Sequence, residues 1–145
     1  MIRAATHDDM GDILRMGRSF CKALGEKFDR QSVCEHVEWL IETDICTALV
    51  CEFEGEVVGM VSGVCIPVYF DSSRTQASEM WWWVDEDARE LGVGTELIDG
   101  LESWARQAGA ERLSMMMMHD LDKSIASIYE KRGYHIHEST FLKEF

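Results

Sequence analysis

The stretch that most limits what this chain can fold into runs from Glu79 to Gly94, EMWWWVDEDARELGVG. An apolar run, Met80 to Val84, stops at an acidic turn and is followed by Arg89-Glu90-Leu91-Gly92-Val93-Gly94. Alternation puts Met80, Trp82 and Val84 on one face of a strand and Trp81 and Trp83 on the other. Burial on both faces marks a central strand with helices above and below. After the glycines, Leu97, Ile98, Leu101, Trp104, Ala105 and Ala108 recur at helical spacing, with Glu96, Asp99, Glu102 and Arg106 opposite and Gly109 as the stop. Strand, glycine-bearing loop, helix: that order suits a phosphate-bearing ligand at a helix N-terminus. A plain glycine-rich turn is the competing reading of the motif alone.

The flanking segments supply the frame. Ile2 to Ala5 reads as a short strand, and Thr6 stands three residues before Asp9 at capping-box spacing. Met10, Ile13, Leu14, Gly17, Phe20 and Leu24 then mark one amphipathic helix, and a second runs from about Asp29 to Thr43. Thr47 to Phe53 and Val57 to Ile66 read as a hairpin, with Gly59 and Gly63 marking weakness or close approach of another backbone. Pro67 is expected to end the second strand, and Val68 to Gln76 to form a loop facing substrate. Arg112 to Met118 reads as a buried strand with adaptable methionine packing, and Asp120 to Arg132 as a last helix. Tyr134 to Glu138 and Thr140 to Phe145 would form a final antiparallel pair. The expected fold is α/β: one domain, residues 1–145, with a mixed central sheet flanked by helices on both faces.

Composition narrows the function. The net charge of −13 argues against nucleic acid, because phosphate contacts need a basic footprint. It tilts any partner towards a cation, with a merely solvated surface as the bland alternative. No apolar run approaches the roughly 20 residues of a membrane span, and the N-terminal segment has no apolar signal core. The five cysteines are scattered without a CxxC pair, which reads as reduced thiols in a cytoplasmic protein rather than a redox or metal framework.

In the loop, Gly92 and Gly94 let backbone turn and approach a ligand without a Cβ in the way. Their amides, with those of Val93 and Thr95, would converge where the helix dipole favours negative charge, and Arg89 adds a cation. The spacing is neither the Walker pattern nor the dinucleotide GxGxxG. Arg89-x-x-Gly92-x-Gly94 resembles the acetyl-CoA loop of the GNAT superfamily of N-acetyltransferases. Tyr129-Glu130-Lys131-Arg132-Gly133-Tyr134 is similar to that family's later Tyr-Glu-Lys-x-Gly-Phe segment. The two motifs stand in the family's order with the expected strand between them. The WWWV strand also looks like that of small members encoded by phages and prophages. Glu86 departs from the family at a usual proline, and Glu90 at a frequent glycine.

The resemblance implies acetyl-CoA as co-substrate. Its pyrophosphate would lie on Arg89, Glu90, Leu91, Gly92, Val93, Gly94 and Thr95, and its pantetheine arm along the backbone of Trp83 and Val84, where the family's sheet splays. The reaction would be acyl transfer to a primary amine in a ternary complex, with acetyl the expected group and another short acyl group open. Such an amine must lose a proton, an oxyanion must be stabilised and the thiolate must leave. Tyr129 matches the family's general acid. Glu79 is the candidate base, directly or through a water, and His119 its rival. Each has a plainer reading: a core tyrosine for Tyr129, a strand-end charge for Glu79. His135 and His137 share a strand face but lack a third ligand, so a solvated pair is preferred to a metal site. A CoA-binding module without catalysis is the alternative function, an acceptor of charged-tRNA type a third. The acceptor itself is open, and so is a homodimer, which is common in the family.

Overall fold

The computed structural model describes residues 1–118 and 124–145. These fall into two compact units, residues 1–115 and 116–145. The first unit holds strand β1 (Ile2–Ala4), helices α1 (Met10–Leu24) and α2 (Arg30–Glu42), strands β2 (Cys46–Phe53), β3 (Glu56–Val68) and β4 (Asp71–Val84), helix α3 (Val93–Gln107) and strand β5 (Arg112–Ser114). The second holds helix α4 (Ser124–Lys131). The sheet order is β1-β2-β3-β4-β5; the first four strands are antiparallel and β4–β5 is parallel.

The expected mixed α/β sheet with helices on both faces is present. Ile13 and Met16 of α1 and Val37 and Leu40 of α2 pack with Ala48, Val50, Met60 and Trp81 on one face. Val93, Leu97 and Leu101 of α3 pack with Cys51, Val61 and Val84 on the other. Gly63 is what lets α3 settle: a Cβ there would stand 2.9 Å from Leu101 Cδ1 and 3.1 Å from the Trp104 ring. What comes nearest the β3 glycines is thus α3 side chains and not the backbone of another element that was expected.

Local chemistry explains both helix starts. The Thr6 N–H donates to Asp9 Oδ2 at 2.8 Å, closing the first turn. Asp29 accepts the Ser32 N–H at 2.8 Å and caps α2. Arg3 reaches from β1 to grip Asp9 with two bonds of 2.8 Å each, so a buried carboxylate ties strand to helix.

Four expectations change. Pro67 does not end β3, which runs on to Val68, and Asp71 to Gln76 is the first half of β4 rather than a loop. The β2–β3 ladder stops at the Cys46–Val64 pair, so Pro67 lies on an edge where its missing N–H breaks no bond to β2. Only Tyr69 and Phe70 remain as the hairpin tip, at 92% and 62% exposure. Second, β5 covers just Arg112 to Ser114, and Met116 to Met118 are exposed, not buried. Third, no strand forms among residues 134–145: Gly133 ends α4 at φ +86°, and Ile136, Phe141, Leu142 and Phe145 find no face to bury. A lone strand pair without such a face is marginal.

The fourth change is in the central strand. Ser62 pairs with Trp81 but the adjacent Gly63 pairs with Glu79, so Met80 is an extra, bulged residue. Met80 consequently packs with Trp81 and Trp83 on the α1/α2 side, not with Trp82 and Val84.

Candidate active site

The bulge decides where Glu79 points. Residues opposite each other in an antiparallel ladder share a face. Gly63 faces α3, so Glu79 belongs to the α3 face, and it is 6% exposed. Unbroken alternation would have sent this carboxylate into the apolar α1/α2 core. Glu79 is thus a buried acid, not the solvated strand-end charge that was the plainer reading.

Glu79 also stands where the sheet opens. The parallel ladder between β4 and β5 has three pairs and ends at Ser78–Ser114, where the two hydroxyls bond at 2.9 Å. Among the described residues the β4–β5 ladder does not continue past that pair. Where two parallel strands part, backbone N–H and C=O groups such as those of Trp83 and Val84 are ones that an amide-bearing arm can satisfy. At Val84 the carbonyl already accepts Arg89 Nε at 3.1 Å. An arm lying there must share that oxygen with Arg89.

Past Val84 the chain makes a 3-10 turn, Glu86–Leu91, and enters α3 through Gly92 at φ +80°. That backbone favours glycine. The first bond of the helix runs from the Glu96 N–H to the Gly92 carbonyl at 3.1 Å. The amides of Val93, Gly94 and Thr95 therefore precede the intrahelical ladder, at the positive end of the dipole. Gly94 has a different role from Gly92. It lies within the helix, and a Cβ there would stand 3.1 Å from the Trp82 ring. The Val93 side chain is in the core, Thr95 and Leu91 lie at the surface, and Glu90 is exposed. The Arg89 guanidinium lies 5.0 Å over the Trp83 ring.

Asp85 anchors this loop, and sequence reading missed it. Its N–H donates to the Val58 carbonyl at 2.9 Å. Its carboxylate accepts Arg15 Nη1 at 2.6 Å and Trp83 Nε1 at 3.1 Å, while Arg15 Nη2 reaches the Val57 carbonyl at 2.8 Å. Burial pulls the Arg15 guanidinium down, but Asp85, aided by Asp12, outweighs it and holds the group above its ordinary value. Seventy positions separate Arg15 from Asp85, and no local pattern announces the pair.

A cavity of about 440 Å³ borders Arg15, Glu54, Glu56, Asp85, Asp87 and Leu91. Its carboxylates would repel a pyrophosphate, so the opening of α3 is the better anion site.

Within the second unit, Tyr129 is 8% exposed and its hydroxyl donates to the Met116 carbonyl at 2.9 Å. Its ring lies 5.6 Å from that of Tyr134. His135 and His137 are exposed, with ring centroids 6.5 Å apart. His119, the rival base, lies outside the described residues, as do Asp120 and Leu121 of the expected last helix.

Comparison with known proteins matches a model of the acetyltransferase (GNAT) family to residues 14–134. The chain belongs to that family. An uncharacterized N-acetyltransferase of Methanocaldococcus jannaschii is 28% identical over 137 residues, which is 92% of this chain and 59% of that protein. The chain therefore spans less than two thirds of that relative. A transcriptional regulator from Bacillus halodurans has the same fold at a TM-score of 0.85 and 18% identity, covering 100% of this chain and 99% of the other. A ribosomal-protein-alanine N-acetyltransferase from Brucella melitensis biovar Abortus follows at 0.79 and 19%, with the same coverage. At such identities the likeness to these two structures is one of fold.

Proposed function

We propose that the chain, residues 1–145 as one GNAT domain, transfers an acetyl group from acetyl-CoA to a primary amine by direct attack in a ternary complex. The observation that carries this reading is the coincidence, along one strand, of the end of the parallel ladder, a buried acid and a glycine-capped helix start. Among the described residues the β4–β5 ladder ends at Ser78, Glu79 sits directly beyond that end, and α3 begins nine residues beyond Val84. The residues present fit the co-substrate. The α3 amides and Arg89 suit the pyrophosphate, and the edge at Trp83 and Val84 suits the pantetheine amides.

When bound, acetyl-CoA supplies an activated thioester; the chain supplies position and proton transfer. Glu79 takes the proton from the ammonium, directly or through a water. A β4 backbone N–H at the open edge steadies negative charge on the carbonyl oxygen as the amine adds. Tyr129 gives its phenolic proton to the departing thiolate and is reprotonated, through solvent, by the second proton that the nitrogen sheds as the amide forms; the Met116 carbonyl holds that hydroxyl beforehand. Burial also pushes the thiols of Cys46, Cys51 and Cys65 up, away from thiolate, which supports direct attack over an acyl-cysteine step. The five unbridged cysteines support a reducing compartment such as the cytoplasm.

Calorimetry with acetyl-CoA, then thiol release across an amine panel, tests the reading. Glu79→Gln and Tyr129→Phe should each lower kcat by about 100-fold while acetyl-CoA affinity stays near wild type. Unchanged turnover in both variants would show that these roles are misassigned. Acetyl-CoA binding without acetylation of any amine would favour a binding module instead.

A further inference from the structure

A second cavity, of about 280 Å³, lies on the face of the sheet opposite Glu79. Gly17, Phe20 and Cys21 of α1 form one wall, Ser32, Val33 and His36 of α2 another, and Met80 and Trp81 of β4 the floor. Three features of this lining point to one kind of ligand.

The first is its place in the chain. Met80 is the bulged residue, and it directly follows Glu79 at the point where β4 loses β5. A group seated on Met80 and Trp81 therefore lies beside the end of the β4–β5 ladder, one residue along the strand from Glu79.

The second is shape. Gly17 has no side chain, and a Cβ there would stand 2.7 Å from Trp81 Cη2. The Trp81 ring can thus lie flat against α1, tilted at 49° to Phe20 with centroids 5.8 Å apart. The walls are aromatic and aliphatic, suited to a planar apolar group.

The third is charge. The chain carries 27 acidic residues, yet none lines this cavity. Its titratable histidine, His36, is stacked on Trp39 at 5.7 Å and is held below its ordinary value by burial. It faces Ser32, Cys21 and apolar walls, with no carboxylate to favour its charge.

Resting on the acetyl-transfer reading, we propose that this cavity selects the acceptor: an amine carrying a neutral aromatic or similarly apolar group, rather than a polycation. The overall negative charge favours cations in general, but the surface that would touch the acceptor body is neutral and apolar. Such a pocket holds apolar matter by exclusion of water and gains nothing from a second ammonium, which it would have to desolvate without a partner.

The probes are 2-phenylethylamine and spermidine, titrated calorimetrically into the CoA-loaded protein. We expect 2-phenylethylamine to bind at least about tenfold tighter. Cys21→Phe and Val33→Phe, which fill the cavity from opposite walls, should each weaken its binding by about tenfold and leave acetyl-CoA affinity unchanged. Using both variants guards against one of them misfolding, and retained acetyl-CoA binding reports the fold. Equal or tighter binding of spermidine overturns the proposal. So does wild-type affinity for 2-phenylethylamine in a variant that still binds acetyl-CoA. If 2-phenylethylamine binds in a Cys21- and Val33-dependent way but no thiol is released, the cavity assignment stands and the transferase reading fails.

Discussion

Single residues here act through burial and partners more than through type. Asp9 shows this most clearly. Its carboxyl is lowered from 3.8 to about 2, first by the hydrogen bonds from Arg3 and then, against the cost of burial, by the Thr6 N–H. A depressed folded-state value means that the stabilisation is complete above the unfolded value and is lost as pH falls through the folded one. The window is therefore from about pH 4 down to about pH 2. A shift of this size corresponds to about 2 kcal/mol at neutral pH. Asp9→Asn should accordingly lower stability in urea melts at pH 7 by about 2 kcal/mol and by much less near pH 2. An equal loss at both pH values would remove the ion pair as the cause. Glu79 makes the same point without a titration: its identity is visible in the sequence, but its burial and its face come from a neighbour that bulges.

Among the elements, the turn from β4 into α3 carries the most consequence. Gly92 holds φ +80° at the helix start, and nothing lies within 4 Å of a Cβ built there, so the constraint is backbone conformation and not space. Gly92→Ala should cost about 1 kcal/mol in thermal or chemical unfolding. It should also weaken acetyl-CoA several-fold, because the first-turn amides are then aimed by a strained residue. A melting temperature equal to wild type would mean that this turn relaxes freely. The β3–β4 hairpin teaches a different lesson. Its polar arm, Asp71 to Gln76, resembles a loop in composition, yet it is strand because β3 offers it a partner from Ile66 to Val68. Strand propensity is weak where a ladder is available.

At the scale of the whole molecule, ligand binding and folding are linked. A ligand that binds only the folded state stabilises it by mass action, about 2.7 kcal/mol at 100 times Kd. Saturating acetyl-CoA should therefore raise the melting temperature by several degrees, and Arg89→Ala should shrink that shift. No shift at saturation would be incompatible with the co-substrate site drawn along β4 and α3. Among the described residues no helix is long and apolar enough to cross a membrane.

Whatever depends on neighbours within a few positions was legible in the amino-acid order. The capping pair Thr6 and Asp9, the apolar stripe of α3, the glycine turn before it and the helix-breaking Gly133 all follow from helical period and turn chemistry. So did the family, through the Arg89-to-Gly94 and Tyr129-to-Tyr134 motifs in order. Tertiary structure alone decided the rest. The extra residue at Met80 exists only because β3 registers Ser62 and Gly63 against Trp81 and Glu79. Arg15 meets Asp85 only because α1 packs beside the end of β4. The strand end at Ser114 and the run of β3 through Pro67 depend on which edges find partners. Register, bulges and ion pairs between distant segments are set by which packing of the whole sheet buries most apolar surface. No window of sequence contains that comparison.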